Sequence, residues 1–343
     1  MIIVRANQLC VVGRYRTWQD HLEFDWPGTE VRLSFTGSTR VGVWMDGGGA
    51  YYNVSFVGYH RKMATHKGMH YYALVEGLDS QVLHTIRLQR RSDAVLCDAT
   101  SRYTPTLVHG FRLDASASIP MQPPFTHPRR IELVGDSDLA GFGVDADKPT
   151  PHNSLVMYGD LQDADKSFGA LVARQTGSEY HCIAWSGKGV CRQTLFMGRD
   201  HLPDLYERCV ASRPDSRVPP SVWRCELGLI YCGSNDWLHG VEMSEFVHAY
   251  SRLITLVSQR CKSVVCLTMS NPQSLSCVPS SEAQRVCRNM RRGVELAVKR
   301  FKNVHHIDLW VDTQMPQDFA MNSHWSASGH RKIAEQLAPQ LLL

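Results

Sequence analysis

The sequence is poor in the features that mark several protein classes. Its 11 cysteines form no Cys-x-x-Cys pair and lie far apart, which argues against a zinc ribbon or a dithiol redox motif. Several sit inside apolar runs, among them Cys182, Cys232 and Cys266, so buried free thiols are expected rather than a disulfide framework. No window approaches the ~20 uninterrupted apolar residues that a membrane-spanning helix needs. Arg5 interrupts the apolar start and no basic segment precedes it, so no secretory signal is read and a reducing, cytoplasmic setting is favoured. Charge of one sign is also scarce. A net charge of +4 over 343 residues is near balance, and basic doublets such as Arg90-Arg91, Arg129-Arg130 and Arg291-Arg292 are scattered, so nucleic acid is not an expected partner. Gly47–Gly49 is followed by no GK[ST], which excludes a phosphate loop there, and no internal repeat is found.

What is present is enough apolar sequence for real cores: 43% of residues are hydrophobic and 20% charged. The length suits two domains. Up to residue 118 the pattern is period two. Val31, Leu33 and Phe35 alternate with polar residues, then Val41, Val43 and Met45, then Tyr52, Val54 and Phe56, then Ile86 and Leu88, with glycine-rich turns between. Short strands at such spacing predict an antiparallel β-sandwich of jelly-roll type. The segment 114–128 carries Pro120, Pro123, Pro124 and Pro128 and reads as a stiff linker. The boundary is placed near residue 125, giving domains 1–125 and 126–343.

The second domain alternates short apolar runs (131–134, 181–185, 227–232, 264–269, 304–309) with helical spacing over 165–177, 244–260, 281–301 and 327–341. This predicts an α/β domain with a parallel sheet flanked by helices, whose catalytic loops leave the strand C-terminal ends.

Four of those loops carry suggestive residues. Gly135-Asp136-Ser137 follows the first run and offers a hydroxyl nucleophile with a backbone N–H beside it. Ser186-Gly187-Lys188 follows the second, where glycine lets an N–H approach a ligand. Gly233-Ser234-Asn235-Asp236 follows the third and supplies a side-chain amide; His324 precedes the last helix and can act as a base. Each alone is more often a plain turn. Together, in this order on one sheet, they point to a serine hydrolase.

Here the chain resembles the SGNH (GDSL) hydrolase superfamily over residues ~129–343. The stretches GRYRTWQDHLEFDWPGTEVRLSFTGS, HGFRLDAS, RRIELVGDS, AWSGKGV and SASGHRKIAEQL together resemble carbohydrate esterase family 2, which joins a sandwich to an SGNH domain and removes acetyl groups from sugars. The resemblance implies a flavodoxin-like catalytic domain, Ser137 as nucleophile and His324 as base. It also implies an oxyanion hole from the Ser137 and Gly187 N–H groups and the Asn235 amide, with Asp136 and Asp236 bracing the loops. No cofactor or metal is implied, and the expected partner is an acetylated carbohydrate. The acid departs from the pattern. The superfamily's aspartate position holds Met321, and that of family-2 members with an acid holds Asn322. Three arrangements stay open: Asn322 orienting the histidine, a backbone carbonyl doing so, or Asp318 standing in. Trp185, Trp237 and Trp325 adjoin motif residues and are candidates for lining a sugar or acyl site, although core packing competes for each. A carbohydrate-binding protein with lost catalysis, or an esterase for another acyl group, are the alternative functions.

Overall fold

The computed structural model describes residues 1–94, 104–120, 129–147, 158–194, 199–218, 224–270, 275, 278–313, 317–321 and 324–341. The N-terminal part pairs two antiparallel sheets. One holds β3 (Arg16–Trp18), β4 (His21–Phe24), β11 (Thr106–Leu113), β6 (Arg40–Asp46) and β9 (His70–Glu76) in that order, with β1 (Ile2–Arg5) also on β11. The other runs β2 (Cys10–Val12), β5 (Glu30–Phe35), β10 (His84–Arg90), β7 (Tyr51–Phe56) and β8 (Tyr59–Ala64). The alternating apolar residues meet between the sheets: Val31, Leu33, Phe35, Val43, Leu88 and Phe111 form a buried core. The boundary expected near residue 125 falls outside the described residues; strand pairing carries the sandwich at least to Ser118, bridged to Thr36.

The C-terminal part is a five-stranded parallel sheet in the order β13 (Ser178–Ala184), β12 (Arg129–Gly135), β14 (Cys225–Tyr231), β15 (Cys261–Met269), β16 (Val304–Leu309). Numbered along the chain this is 2-1-3-4-5, the flavodoxin-like order. Its inner strands β14 and β15 carry apolar runs that face both sides because helices cover both, whereas edge strand β16 keeps polar, part-buried positions. Short α1 (Tyr158–Leu161) and α3 (Leu202–Leu205) lie in the connections, and α4 (Ser234–Leu238) follows β14 directly. Around β14 and β15, helices α5 (Met243–Ser258) and α6 (Ser280–Val298) bury Phe246, Tyr250, Val286 and Val294 in one core. The other core takes Phe168 and Val172 from α2 (Phe168–Gln175) and Ile333 and Leu337 from α7 (Ala327–Leu337). No helix among the described residues is long and apolar enough to cross a membrane.

One expectation is corrected. Cys225 and Cys261 are not free thiols but a disulfide, because in-register pairing of β14 with β15 sets their Cα atoms 4.6 Å apart. Cysteine usage therefore no longer favours a reducing compartment.

Charged side chains join the two domains. Arg14 inserts beside the parallel sheet, donating to Glu132 Oε1 at 2.8 Å, while Tyr206 donates to the other oxygen of that carboxylate. Asp25 accepts the N–H groups of Ala211 (2.5 Å) and Ser212 (3.0 Å), and Trp26 Nε1 donates to the Arg208 carbonyl at 3.1 Å. Arg91, 2% exposed, pairs with Asp163 at 3.0 Å and with Asp145, and Asn53 donates to Asp163 at 3.0 Å.

Candidate active site

The order reversal of a 2-1-3-4-5 sheet lies between its first and third strands, here β12 and β14, and opens a crevice at their C-terminal ends. Ser137 stands two residues after β12 and Asn235 four after β14, one on each side of that crevice. Half-buried Ser137 begins a compact turn in which the Phe142 N–H donates to its carbonyl at 2.9 Å.

His324 approaches from the segment before α7. Its Nε2 lies 2.8 Å from Ser137 Oγ, and its Nδ1 lies 3.1 Å from the Met321 carbonyl. A carbonyl can only accept, so Nδ1 carries the proton and Nε2 offers its lone pair to the serine hydroxyl. Phe142 packs against the imidazole with ring centres 4.5 Å apart. The same turn fixes the carbonyl: Gly143, at φ +69°, lets the chain pass so close to Met321 that an added Cβ would sit 2.8 Å from the Met321 Cβ. Asp318 is fully buried, but Ser328 Oγ (2.9 Å) and Lys332 Nζ (2.7 Å) engage its carboxylate. Asn322 lies outside the described residues.

The second loop turns at Gly187, φ +78°, closed by the Lys188 N–H donating to the Trp185 carbonyl at 3.2 Å. Among the described residues the N–H groups of Ser137 and Gly187 have no protein acceptor, which is the state an oxyanion-binding pair requires. Asn235 differs from its expected role in one respect. Its Nδ2 already donates to Asp136 Oδ2 at 3.2 Å and the Lys188 carbonyl at 3.0 Å, while Thr194 donates to its Oδ1 at 3.2 Å. The amide reaches a new oxyanion only by exchanging one of those bonds. Asp136 is fully enclosed, and burial pushes its carboxyl well above the usual carboxylate range. Asp236, also buried, accepts the N–H groups of Val190 (3.0 Å), Cys191 (2.8 Å) and Arg192 (2.7 Å), tying α4 to the glycine loop. Lys188 packs over Trp185 and donates to the Asp200 carbonyl at 2.6 Å; burial lowers its ammonium to about 8.

The three tryptophans expected at a sugar or acyl site are instead core residues. Trp185 (4% exposed) meets Trp26 edge-on, Trp237 (3%) packs on Phe246, and Trp325 (0%) stacks on Phe319. Large aromatic area beside a motif was drawn into packing, and none of the three offers a face to a sugar ring. Among the described residues, the exposed tryptophan at the C-terminal rim of the sheet is one that no motif marks: Trp310, 64% exposed, directly after β16. Asp138 was also unmarked. Burial raises its carboxyl while the His324 charge lowers it, and its Oδ1 is buried without a hydrogen-bond partner.

Two groups of possible metal ligands occur among the described residues, Asp20 with His21 and His109, and Glu132 with Cys225 and Cys261. Neither includes a residue of the Ser137 site, and in the second the cysteines are bonded to each other and Glu132 to Arg14. A cleft between the domains lined by Arg32, Arg87, Asp165 and Tyr180, and another lined by Arg129, Glu226 and His305, likewise hold none of the four motif residues.

Residues 11–124 match the family model for the carbohydrate esterase 2 N-terminal domain. The chain is 26% identical over 241 residues to the cellulase/esterase CelE of Acetivibrio thermocellus, covering 68% of this chain but only 27% of that relative's length. A family two carbohydrate esterase from Clostridium thermocellum, solved with cellohexaose, superposes with a TM-score of 0.81 at 20% identity, covering 97% of this chain and 98% of that one. A carbohydrate esterase family 2 enzyme from Corynascus thermopiles gives 0.79 at 24% identity, with 97% and 98% covered. The acetyl xylan esterase Est2A from Butyrivibrio proteoclasticus gives 0.77 at 16%, with 99% and 97% covered. In sequence across its sandwich, and in fold across its whole length, the chain is similar to the family 2 carbohydrate esterases.

Proposed function

We propose that the chain is a carbohydrate O-acetyl esterase that works through an acyl-enzyme on Ser137. The observation that carries this reading is the 2.8 Å approach of His324 Nε2 to Ser137 Oγ, with Nδ1 tethered to a carbonyl. The Ser137 oxygen attacks the acetyl carbonyl and passes its proton to Nε2. The N–H groups of Ser137 and Gly187, joined by the Asn235 amide once it releases a partner, hold the tetrahedral oxyanion. Collapse breaks the bond to the sugar oxygen, which takes the proton from His324. Water then attacks acetyl-Ser137 by the same route, giving acetate and free enzyme. Each oxyanion donor contributes about 3–4 kcal/mol in such chemistry.

The Met321 carbonyl fixes the tautomer but adds no full negative charge to balance the imidazolium, so Ser137 and His324 act as a dyad. An acetylated sugar fits the near-neutral chain, and exposed Trp310 on the catalytic rim offers a face for one of its rings. The test is acetate release from p-nitrophenyl acetate and acetylated sugars. Ser137→Ala should reduce turnover by at least about a thousandfold; an unchanged rate would sink the proposal. A chain-length profile peaking beyond acetate would move the substrate to another acyl ester, and sugar binding without acetate release would favour a binding protein.

A further inference from the structure

The loop that carries Gly187 is held from outside its own domain. The Ser186 N–H donates to Asp93 Oδ2 at 2.8 Å, and Asp93 belongs to the sandwich, three residues after β10. Asp93 is fully buried and Ser186 is 5% exposed. Arg90 shapes the approach, its guanidinium donating to the carbonyls of Ser92 (2.9 Å) and Asp93 (3.4 Å) and to Thr106 Oγ1 (2.7 Å). On the other side of Ser186, sandwich residue Trp26 meets Trp185 edge-on with ring centres 6.5 Å apart. Two consecutive residues of the loop are thus gripped by the neighbouring domain.

We infer that Asp93 is a positioning residue for the oxyanion-binding loop, so that the hole is built by both domains; this rests on the esterase reading above. The peptide joining Ser186 to Gly187 is planar, and the Ser186 dihedrals decide where the Gly187 N–H points. A hydrogen bond to a carboxylate is roughly twice as strong as one between neutral groups, and here it anchors the preceding Trp185–Ser186 peptide, and with it the Ser186 Cα from which the next peptide swings. Without it a buried N–H would be orphaned, and the loop would turn to satisfy it, carrying the Gly187 N–H with it. Asp93 touches no reacting atom. It acts through Ser186, and the sandwich becomes part of the catalytic apparatus rather than a detached accessory.

The test uses the full chain with p-nitrophenyl acetate and an acetylated sugar. Asp93→Ala should lower kcat by about 10- to 100-fold while KM stays within about twofold, because an oxyanion contact forms only in the transition state. Asp93→Asn keeps an oxygen for the same N–H and should recover kcat to within about fivefold of the parent. Asp25→Ala removes a comparable interdomain acceptor, at Ala211 and Ser212, and should leave kcat within about twofold. Parent-like kcat in Asp93→Ala overturns the inference. So does an equal loss in Asp25→Ala and Asp93→Ala, or a failure of Asp93→Asn to recover kcat while the melting temperature recovers. Should Asp93→Ala not fold, Asp93→Ser, whose shorter side chain withdraws the acceptor, takes its place with the same expected split. Ser137→Ala keeps the two proposals apart. Full activity there overturns the esterase reading, whereas loss there with none in Asp93→Ala overturns only the role of Asp93.

Discussion

His330 is fully enclosed beneath the site, and its Nδ1 accepts the Phe168 N–H at 3.1 Å, so the ring is neutral. Burial, aided by the nearby His324 charge, lowers it from 6.5 to about 3. Between those values the unfolded chain binds a proton that the folded one refuses, so stability rises with pH through that window and falls on acidification. The slope is up to about 1.4 kcal/mol per pH unit. His330→Asn, which keeps an acceptor but cannot titrate, should therefore lose about 1.5–2 kcal/mol less than the parent between pH 6.5 and 5; urea denaturation at both values checks it. At this scale the sequence was readable where chemistry needs a particular side chain. Ser137, Gly187, Asn235 and His324 are ordinary turn residues one by one, and they stand out only jointly, as loops in a fixed order along one sheet. The orienting group was only partly readable: a backbone carbonyl stood among three open arrangements, but every residue has one, and the turn at Gly143 decides that the carbonyl of Met321 faces His324. Asp93 was silent for a similar reason, being remote in sequence from the loop it holds.

Among the elements, α4 ties together two loops of the site in only five residues. Its five residues present Asn235 toward Asp136 and Asp236 toward three backbone N–H groups of the glycine loop. Asp236→Ala would orphan those groups, and each buried donor left unpaired costs about 1–3 kcal/mol, so a loss of about 3 kcal/mol or more is expected. Thermal melts and steady-state kinetics check this, with kcat falling at least about tenfold because the Gly187 loop loses its second anchor. A helix this short has no periodicity to detect, and the sequence showed only a turn there. The long helices and central strands were legible because one apolar stripe or run dominates each, as in α6 and β5. By contrast β8 buries only Met63 of its six residues, so its pattern lacks the alternation that betrays a strand.

For the whole molecule, the two folds were legible from texture, but the joint between them was not. Arg90-Arg91 looks like a stray basic doublet, yet the two are 0% and 2% exposed, and Arg91 neutralises Asp163 and Asp145 across the domain boundary. Arg91→Met would leave Asp163 buried without its main cation, and breaking such a pair costs about 3–5 kcal/mol. Urea unfolding should show that loss, and the parent should unfold in one transition rather than two, since each half buries charges that only the other satisfies. Those pairings also bear on how the protein is made. Arg14 waits for Glu132, 118 residues downstream, and Asp25 for Ser212, 187 residues downstream. At ordinary ribosomal speed those intervals last on the order of ten seconds. Throughout that time the emerging sandwich displays buried-type charges and Trp26 to the surrounding medium, so the first-made half is the one most in need of a chaperone.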